Sequence, residues 1–240
     1  MNSKANIKIK NISGFSKIQK FYSKRNKVYL VEDTAESAGE NYVLKIFMGR
    51  EKQKRKKLEE DILKDLSKSS LYVPELLLTG KDYLLMEYIK GVTLLDILIR
   101  YEGSGCCDDR PFLMAIDFIY DYCRHTLKSA GQSYILKDIN LRNFIYREGQ
   151  LYRIDFEDCA HGYIEEDIGK LFAFMLTYDP VFTDWKISKA KSLFHYLSDK
   201  YPVDIDAIRS EMKKELIAIE DRRGLEIPFG EIDKYYSLSI

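Results

Sequence analysis

The stretch Tyr134–Asp167, YILKDINLRNFIYREGQLYRIDFEDCAHGYIEED, decides our interpretation of the fold. It contains two apolar runs, Phe144–Tyr146 and Leu151–Ile154, on either side of the polar tetrapeptide Arg147–Gln150. The glycine in that tetrapeptide suits a reversal of the backbone. The pattern therefore predicts a β-hairpin.

Three oxygen-bearing side chains border this predicted hairpin. Asp138 and Asn143 precede its first strand, and Asp155 follows its second strand. We expect the hairpin to bring them to one end, where carboxylate and amide oxygens suit a hard cation such as Mg²⁺. Such a site fits phosphoryl transfer, which needs a metal and a carboxylate that accepts the proton of an attacking hydroxyl. An ordinary polar turn beside a hairpin is the simpler alternative.

Two motifs in this stretch carry a resemblance to a known family. The segment DINLRN, Asp138–Asn143, followed by IDFE, Ile154–Glu157, resembles the catalytic loop and the metal-binding segment of the protein-kinase-like phosphotransferases. The resemblance implies an α+β fold with two lobes: an antiparallel N-terminal β-sheet in residues 1–89 and a mainly α-helical lobe in residues 90–240. It also implies a cleft between the lobes, where Lys45, Asp138, Asn143 and Asp155 would share one magnesium–triphosphate position.

Composition restricts the class of protein. The chain has 240 residues, of which 45% are hydrophobic and 32% are charged, enough for one large core or two modest ones. It has 38 basic and 38 acidic residues, so no overall field attracts nucleic acid or an anionic membrane. No apolar run is long enough to span a bilayer, and Met1–Lys10 lacks the apolar core of a signal peptide. We expect a cytoplasmic protein.

The four cysteines match neither a disulfide framework nor a CxxC metal pair. We expect reduced thiols. Their positions are Cys106, Cys107, Cys123 and Cys159.

The N-terminal segment predicts three strands, at 18–22, 27–32 and 41–47, with a glycine-bearing turn at 33–40 before the third. In the family that the chain resembles, the first turn covers the nucleotide phosphates. Here that turn is Ser23–Asn26 and has no glycine, so we interpret Ser23 and Asn26 as substitute phosphate donors.

The resemblance implies that Lys45, on the third predicted strand, binds the α- and β-phosphates of ATP. A lysine that reaches water from the edge of the sheet is the alternative. The following helix, 51–67, carries Glu59 on the same face as its apolar residues, where it can pair with an inward-pointing lysine. Glu60 is the alternative partner.

A later strand, Tyr83–Gly91, resembles the segment that joins the two lobes. In that reading the backbone of Glu87, Tyr88 and Ile89 binds the adenine ring, and Met86 closes the pocket behind it. The alternative is an edge strand that ends at a glycine.

Apolar periodicity predicts helices at 94 onward, 111–130, 168–176, 187–200 and 205–219. The resemblance implies that Asp167, before one of these helices, braces the catalytic loop. His161 is expected in a loop.

Three residues depart from the protein-kinase pattern: Leu136, Asn140 and Glu157 replace a histidine, a lysine and a glycine. The interval from Asp155 to Asp167 is also too short for the activation loop of regulated protein kinases.

Glu157, together with Asp167-Ile168-Gly169, resembles the corresponding segment of choline and ethanolamine kinases. The short interval is similar to aminoglycoside, choline and other small-molecule kinases, and also to a few compact atypical protein kinases. A cationic acceptor such as an aminoglycoside could meet the acidic Glu157, Asp158, Glu165 and Glu166, and the alternative is that these loop residues are simply solvated.

The resemblance thus implies a kinase that uses ATP and Mg²⁺ to phosphorylate a hydroxyl of a small molecule, such as a choline-like, aminoglycoside or sugar-like acceptor. Its catalytic residues would be Asp138 and Asn143, and its metal ligands Asn143 and Asp155. Two alternatives stay open: an atypical serine/threonine protein kinase with a protein substrate, and a pseudokinase that binds nucleotide without turnover. Oligomeric state leaves no signature in the sequence.

Overall fold

The computed structural model describes residues 12, 14–33, 40–127 and 133–228. These residues form two compact units. The first contains the described residues up to Lys90 together with Tyr152–Glu157, and the second contains the described residues from Gly91 to Leu151 and from Asp158 onward. The first unit is built on an antiparallel sheet and the second is mainly helical. The predicted α+β class is therefore confirmed.

The first unit consists of a five-stranded antiparallel sheet and one helix. The strand order is β1-β2-β3-β5-β4, so β3 lies in the middle of the sheet. Three of these strands were predicted within a few residues of their ends; most of the predicted turn at 33–40 lies outside the described residues. The elements are β1 (Phe15–Phe21), β2 (Lys27–Asp33), β3 (Asn41–Ile46), α1 (Lys52–Leu66), β4 (Leu76–Thr79) and β5 (Tyr83–Glu87).

The alternation of side chains along β3 separates its apolar residues from its lysine. Tyr42 and Leu44 pack with Val31 and Leu85 in a buried cluster on one face of the sheet. Because successive side chains of a strand point to opposite faces, Lys45 lies on the other face. It is nevertheless only 5% exposed. The alternative of an edge lysine that reaches water is therefore wrong.

The second unit contains short strands and five α-helices among its described residues; its strand β9 continues into the first unit, to which Tyr152 and Arg153 belong. Two predicted features are confirmed: the hairpin of β8 and β9, which turns at Glu148 and Gly149 with positive φ angles of 50° and 80°, and a proline in the first turn of α3. The elements are β6 (Val92–Thr93), α2 (Leu94–Ser104), α3 (Arg110–Thr126), β7 (Ser133–Ile135), β8 (Phe144–Arg147), β9 (Gln150–Arg153), β10 (Ala160–Gly162), α4 (Ile164–Thr177), α5 (Asp184–Lys200) and α6 (Ile205–Arg223).

Strands β7 and β10 were not predicted. They pair antiparallel, with Ile135 opposite Ala160 and Ser133 opposite Gly162. This pairing places His161 in a strand, so its predicted loop position is wrong. Helix α3 ends at Thr126, before the predicted end at 130, and residues 128–130 lie outside the described part of the chain.

All four cysteines are free thiols, as expected. Among the residues that the structure describes, no helix combines the length and the apolar character that crossing a membrane requires.

Candidate active site

Lys45 is held between two carboxylates of the first unit. Its Nζ lies 2.6 Å from Oε2 of Glu59 and 2.8 Å from Oδ1 of Asp155. The predicted contact with Glu59 is thus present. The alternative partner, Glu60, is engaged elsewhere, because its two oxygens each lie 2.5 Å from a lysine ammonium, those of Lys56 and Lys64.

Local structure explains this arrangement. Helix α1 buries residues spaced three or four apart, including Glu59 and Leu63, so the carboxylate lies on the apolar stripe of the helix. Asp155 follows β9 with a φ of 69°, in the left-handed region that aspartate tolerates better than most residues. A central strand, a buried helix face and a turn therefore each supply one side chain.

Burial and charge oppose each other in this cluster. Burial disfavours the charged form of Lys45, but the carboxylates of Glu59, Asp155 and Glu157 outweigh it and hold the pKa of Lys45 above its ordinary value. Burial likewise works against the charge of Asp155, and the nearby Lys45 ammonium still holds its pKa below the usual range. For Glu59 burial dominates the attraction of Lys45 and raises its pKa to about 7.

The three carboxylates of this cluster lie close enough together to hold a cation, and the Lys45 ammonium already occupies that position, within 3.8 Å of each of them. One carboxylate oxygen from each of Glu59, Asp155 and Glu157 lies within 4.8 Å of the others. Oxygen donors of this kind suit Mg²⁺. Of these three residues, sequence reasoning had assigned only Asp155 to the metal.

In the second unit, the predicted catalytic loop is an ordered turn. Oδ2 of Asp138 accepts a hydrogen bond of 3.1 Å from Nδ2 of Asn143, and Oδ1 accepts one of 3.2 Å from the backbone N–H of Asn140. A 3₁₀ turn at Leu141–Asn143 sets this spacing. Because Nδ2 of Asn143 faces Asp138, its amide oxygen, the atom that binds metals, points away from that carboxylate.

Asp167 braces this loop, as the resemblance implied. Its carboxylate is fully buried and accepts the backbone N–H groups of Leu136 at 2.6 Å and of Lys137 at 3.0 Å. Lys137 has a φ of 63°, and its carbonyl oxygen accepts a hydrogen bond from Nζ of Lys170. The backbone immediately before Asp138 is therefore fixed by buried charge-assisted hydrogen bonds.

The predicted phosphate donors of the first turn have partners inside the protein. Oγ of Ser23 accepts the backbone N–H of Asn26 at 3.1 Å. The side chain of Asn26 donates to Glu157 at 2.7 Å and accepts the N–H of Met48 at 3.2 Å. A role of Ser23 and Asn26 in phosphate binding stays a prediction.

The predicted adenine-binding segment begins within β5. Met86 and Ile89 are buried, and the ring of Tyr88 stacks on that of Phe21 with centroids 6.2 Å apart. The backbone N–H of Glu87 donates to the carbonyl oxygen of Glu75 at 2.9 Å, so that donor is already used. The roles of these residues stay predictions.

Sequence reasoning missed the place of Glu157. We expected an acidic contact for a cationic acceptor, but Glu157 is only 6% exposed. Its carboxylate lies beside Asn26, Arg25, Arg55 and Lys45. Its replacement of the glycine in the metal-binding motif was the signal that pointed to a special role.

Comparisons with known proteins agree with the resemblance. Residues 18–104 match the model of the APH family, described as a phosphotransferase enzyme family. This segment includes Lys45 and Glu59 but not the catalytic loop. No curated protein matches the sequence.

One solved structure with a similar chain is a choline kinase from Cryptosporidium parvum Iowa II, with 14% identity, a TM-score of 0.48, and coverage of 89% of this chain and 81% of that chain. The family match confirms the predicted resemblance and supports a phosphotransferase as the class of this protein.

Proposed function

We propose that the protein is an ATP-dependent phosphotransferase that moves the γ-phosphoryl group to a hydroxyl of a small molecule. The observation that carries this proposal is the buried Lys45 ammonium, which lies 2.6 Å from Glu59 and 2.8 Å from Asp155. Burying Lys45 and Glu59 beside the partly exposed Asp155 costs free energy, so we take the retention of these groups as a sign of a role beyond stability. A lysine that contacts phosphates and a carboxylate that binds metal would have such a role.

In this proposal Lys45 binds the α- and β-phosphates, and Glu59 holds its ammonium in place. Ser23 and Asn26 lie in the turn that would meet the phosphates. The segment Met86–Ile89 would hold the adenine ring, through the backbone of Glu87, Tyr88 and Ile89 and the side chain of Met86.

The donor set suits magnesium. Asp155 supplies a carboxylate whose pKa is held below its usual range, so it is ionised at neutral pH. Asn143 supplies an amide oxygen. Both are hard oxygen donors of the kind that Mg²⁺ prefers. When bound with ATP, Mg²⁺ neutralises charge on the phosphates during transfer.

Asp138 is the proposed general base, or the group that orients the acceptor hydroxyl. Its two oxygens are held by Asn143 and by the backbone of Asn140, which fixes the direction of the carboxylate. A positioned carboxylate can accept the proton of the hydroxyl as the oxygen attacks the γ-phosphorus.

The short interval after Asp155 supports a small acceptor over a protein substrate. Strand β10 begins at Ala160 and α4 at Ile164, so regular structure occupies much of the segment in which regulated protein kinases carry an activation loop. The cytoplasmic location expected from the sequence stays a prediction.

The test is transfer of labelled phosphate from γ-labelled ATP with Mg²⁺ to a panel of choline, ethanolamine, aminoglycosides and sugars. Asp138→Asn is the matched inactive control. Label on a small acceptor, lost in Asp138→Asn, supports the proposal. Label on protein side chains alone would indicate a protein kinase, and tight ATP binding without transfer would indicate a pseudokinase.

A further inference from the structure

Two departures from the protein-kinase pattern meet in the first unit. One is Glu157, which stands where protein kinases usually have glycine. The other is the turn between β1 and β2, which contains no glycine; from here on, the first turn means Tyr22–Asn26, the predicted turn Ser23–Asn26 with the tyrosine that precedes it. Nδ2 of Asn26 donates to Oε2 of Glu157 at 2.7 Å, and both side chains are 6% exposed.

Asn26 also forms hydrogen bonds with Met48 and with Ser23. Its Oδ1 accepts the N–H of Met48, just after β3, at 3.2 Å. Its own N–H donates to Oγ of Ser23 within the turn at 3.1 Å. A single asparagine side chain therefore ties the first turn to the chain after β3 and to Glu157.

Three basic side chains also lie beside Glu157: Lys45, whose Nζ is 3.8 Å from Oε2, and two arginines. Nη2 of Arg25, in the first turn, lies 3.3 Å from Oε1, and Nη1 of Arg55, in α1, lies 3.5 Å from Oε2. Nη2 of Arg55 also donates to the carbonyl oxygen of Met48. The two arginines approach the carboxylate from the first turn and from α1 as ion pairs. The hydrogen bond from Asn26 goes to a charged acceptor and is therefore of the stronger kind.

The absence of glycine from the first turn explains why its shape depends on these side-chain contacts. A glycine-rich turn can adopt positive φ angles and wrap a phosphate with its backbone. In this chain none of the residues from Tyr22 to Asn26 has a positive φ. A turn of this kind needs side chains to hold its shape, because an unrestrained loop must be ordered at the expense of binding free energy when a ligand arrives.

We propose that Glu157 is a positioning residue that holds the first turn in its nucleotide-binding conformation through Asn26. This inference rests on the proposed function, since the first turn is the predicted phosphate-binding turn. Glu157 acts here through Asn26, and its effect on catalysis is exerted by ordering the turn before ATP binds.

The test is a double-mutant cycle with Glu157→Gln, Asn26→Ala and the double variant, assayed for KM of ATP and for kcat. We expect each single variant to raise KM about tenfold, which corresponds to about 1.4 kcal/mol, while kcat changes less than about twofold. The double variant should be no worse than the worse single variant, because both changes cut the same connection. Glu148→Gln, an exposed carboxylate in the hairpin turn, is the matched control and should match the wild type.

Amide hydrogen exchange of the first turn, measured without nucleotide, supplies a readout that does not depend on catalysis. We expect faster exchange at Tyr22–Asn26 in Glu157→Gln than in the wild type and in Glu148→Gln.

Additive effects in the cycle, a loss confined to kcat, or unchanged exchange would each overturn the positioning role. A wild type that neither binds nor consumes ATP would refute the proposed function instead, and the exchange result would still decide whether Glu157 orders the turn.

Discussion

Lys45 in the middle strand of the first sheet and Glu59 on the buried face of α1 form an ion pair, with 2.6 Å between Nζ and Oε2. Their side chains are 6% and 1% exposed. Removing Glu59 takes away the nearest counter-charge of a buried ammonium, which then keeps only Asp155 at 2.8 Å and Glu157 at 3.8 Å. That loss costs more than the loss of an exposed pair.

Glu59→Ala should therefore destabilise the protein strongly. We expect the free energy of unfolding to fall by roughly 1.5–3 kcal/mol, the range for losing a hydrogen bond to a charged group, measured by urea denaturation. Asp61→Ala is the matched control on the same helix, because Asp61 forms an exposed ion pair with Lys57 and should change stability by less than about 1 kcal/mol. Equal effects of the two substitutions would contradict a structural role of the buried pair.

Asp138→Asn should abolish most of the transfer activity without weakening the fold. The amide keeps the shape of the side chain but accepts a proton poorly, so we expect kcat to fall by roughly 10²–10⁴-fold. Thermal unfolding should stay within a few degrees of the wild type, because Asp138 is only partly buried. Retention of more than a tenth of the activity would remove Asp138 from the chemistry.

Unlike Asp138→Asn, the substitution Asp167→Asn should lower the stability of the protein, because it loosens the catalytic loop. Both oxygens of Asp167 accept buried backbone N–H groups, and an amide would direct an N–H donor at one of them. We expect a loss of roughly 1–3 kcal/mol in unfolding free energy, measured by denaturation, together with reduced kcat. Unchanged stability would show that these hydrogen bonds do not hold the loop.

The stability of the protein should depend on pH in part because Glu60, on α1, changes its charge at low pH. Burial opposes its charge, but Lys56 and Lys64 overcome this and lower the pKa of Glu60 to about 2. A carboxyl group with a lowered pKa in the folded state stabilises the protein above its ordinary value of 4.5, and this contribution is lost as the pH falls toward 2. The melting temperature of the wild type should therefore fall more steeply than that of Glu60→Gln between pH 5 and pH 2. Parallel curves would contradict this role.

The amino-acid sequence by itself determined the features that repeat along the chain. Helical spacing placed Glu59 on the face that meets Lys45, and strand alternation placed Lys45 on one side of β3, because periods of 3.6 and 2 residues are visible in local sequence. The hairpin of β8 and β9 and the close approach of Asp138 and Asn143 followed from turn chemistry and short spacing in the same way.

Only the tertiary structure decided the contacts between distant segments. Asn26 and Glu157 are 131 residues apart, and no local pattern marks two polar residues that will share a buried hydrogen bond. Strands β7 and β10 have three residues each, too few for a period to show, and they form because each supplies the partner that the other lacks. Helices, strands and turns depend mainly on residues that are close together in the sequence. A polar group can be buried only if folding brings a hydrogen-bond partner to it, and that partner often comes from a distant part of the chain.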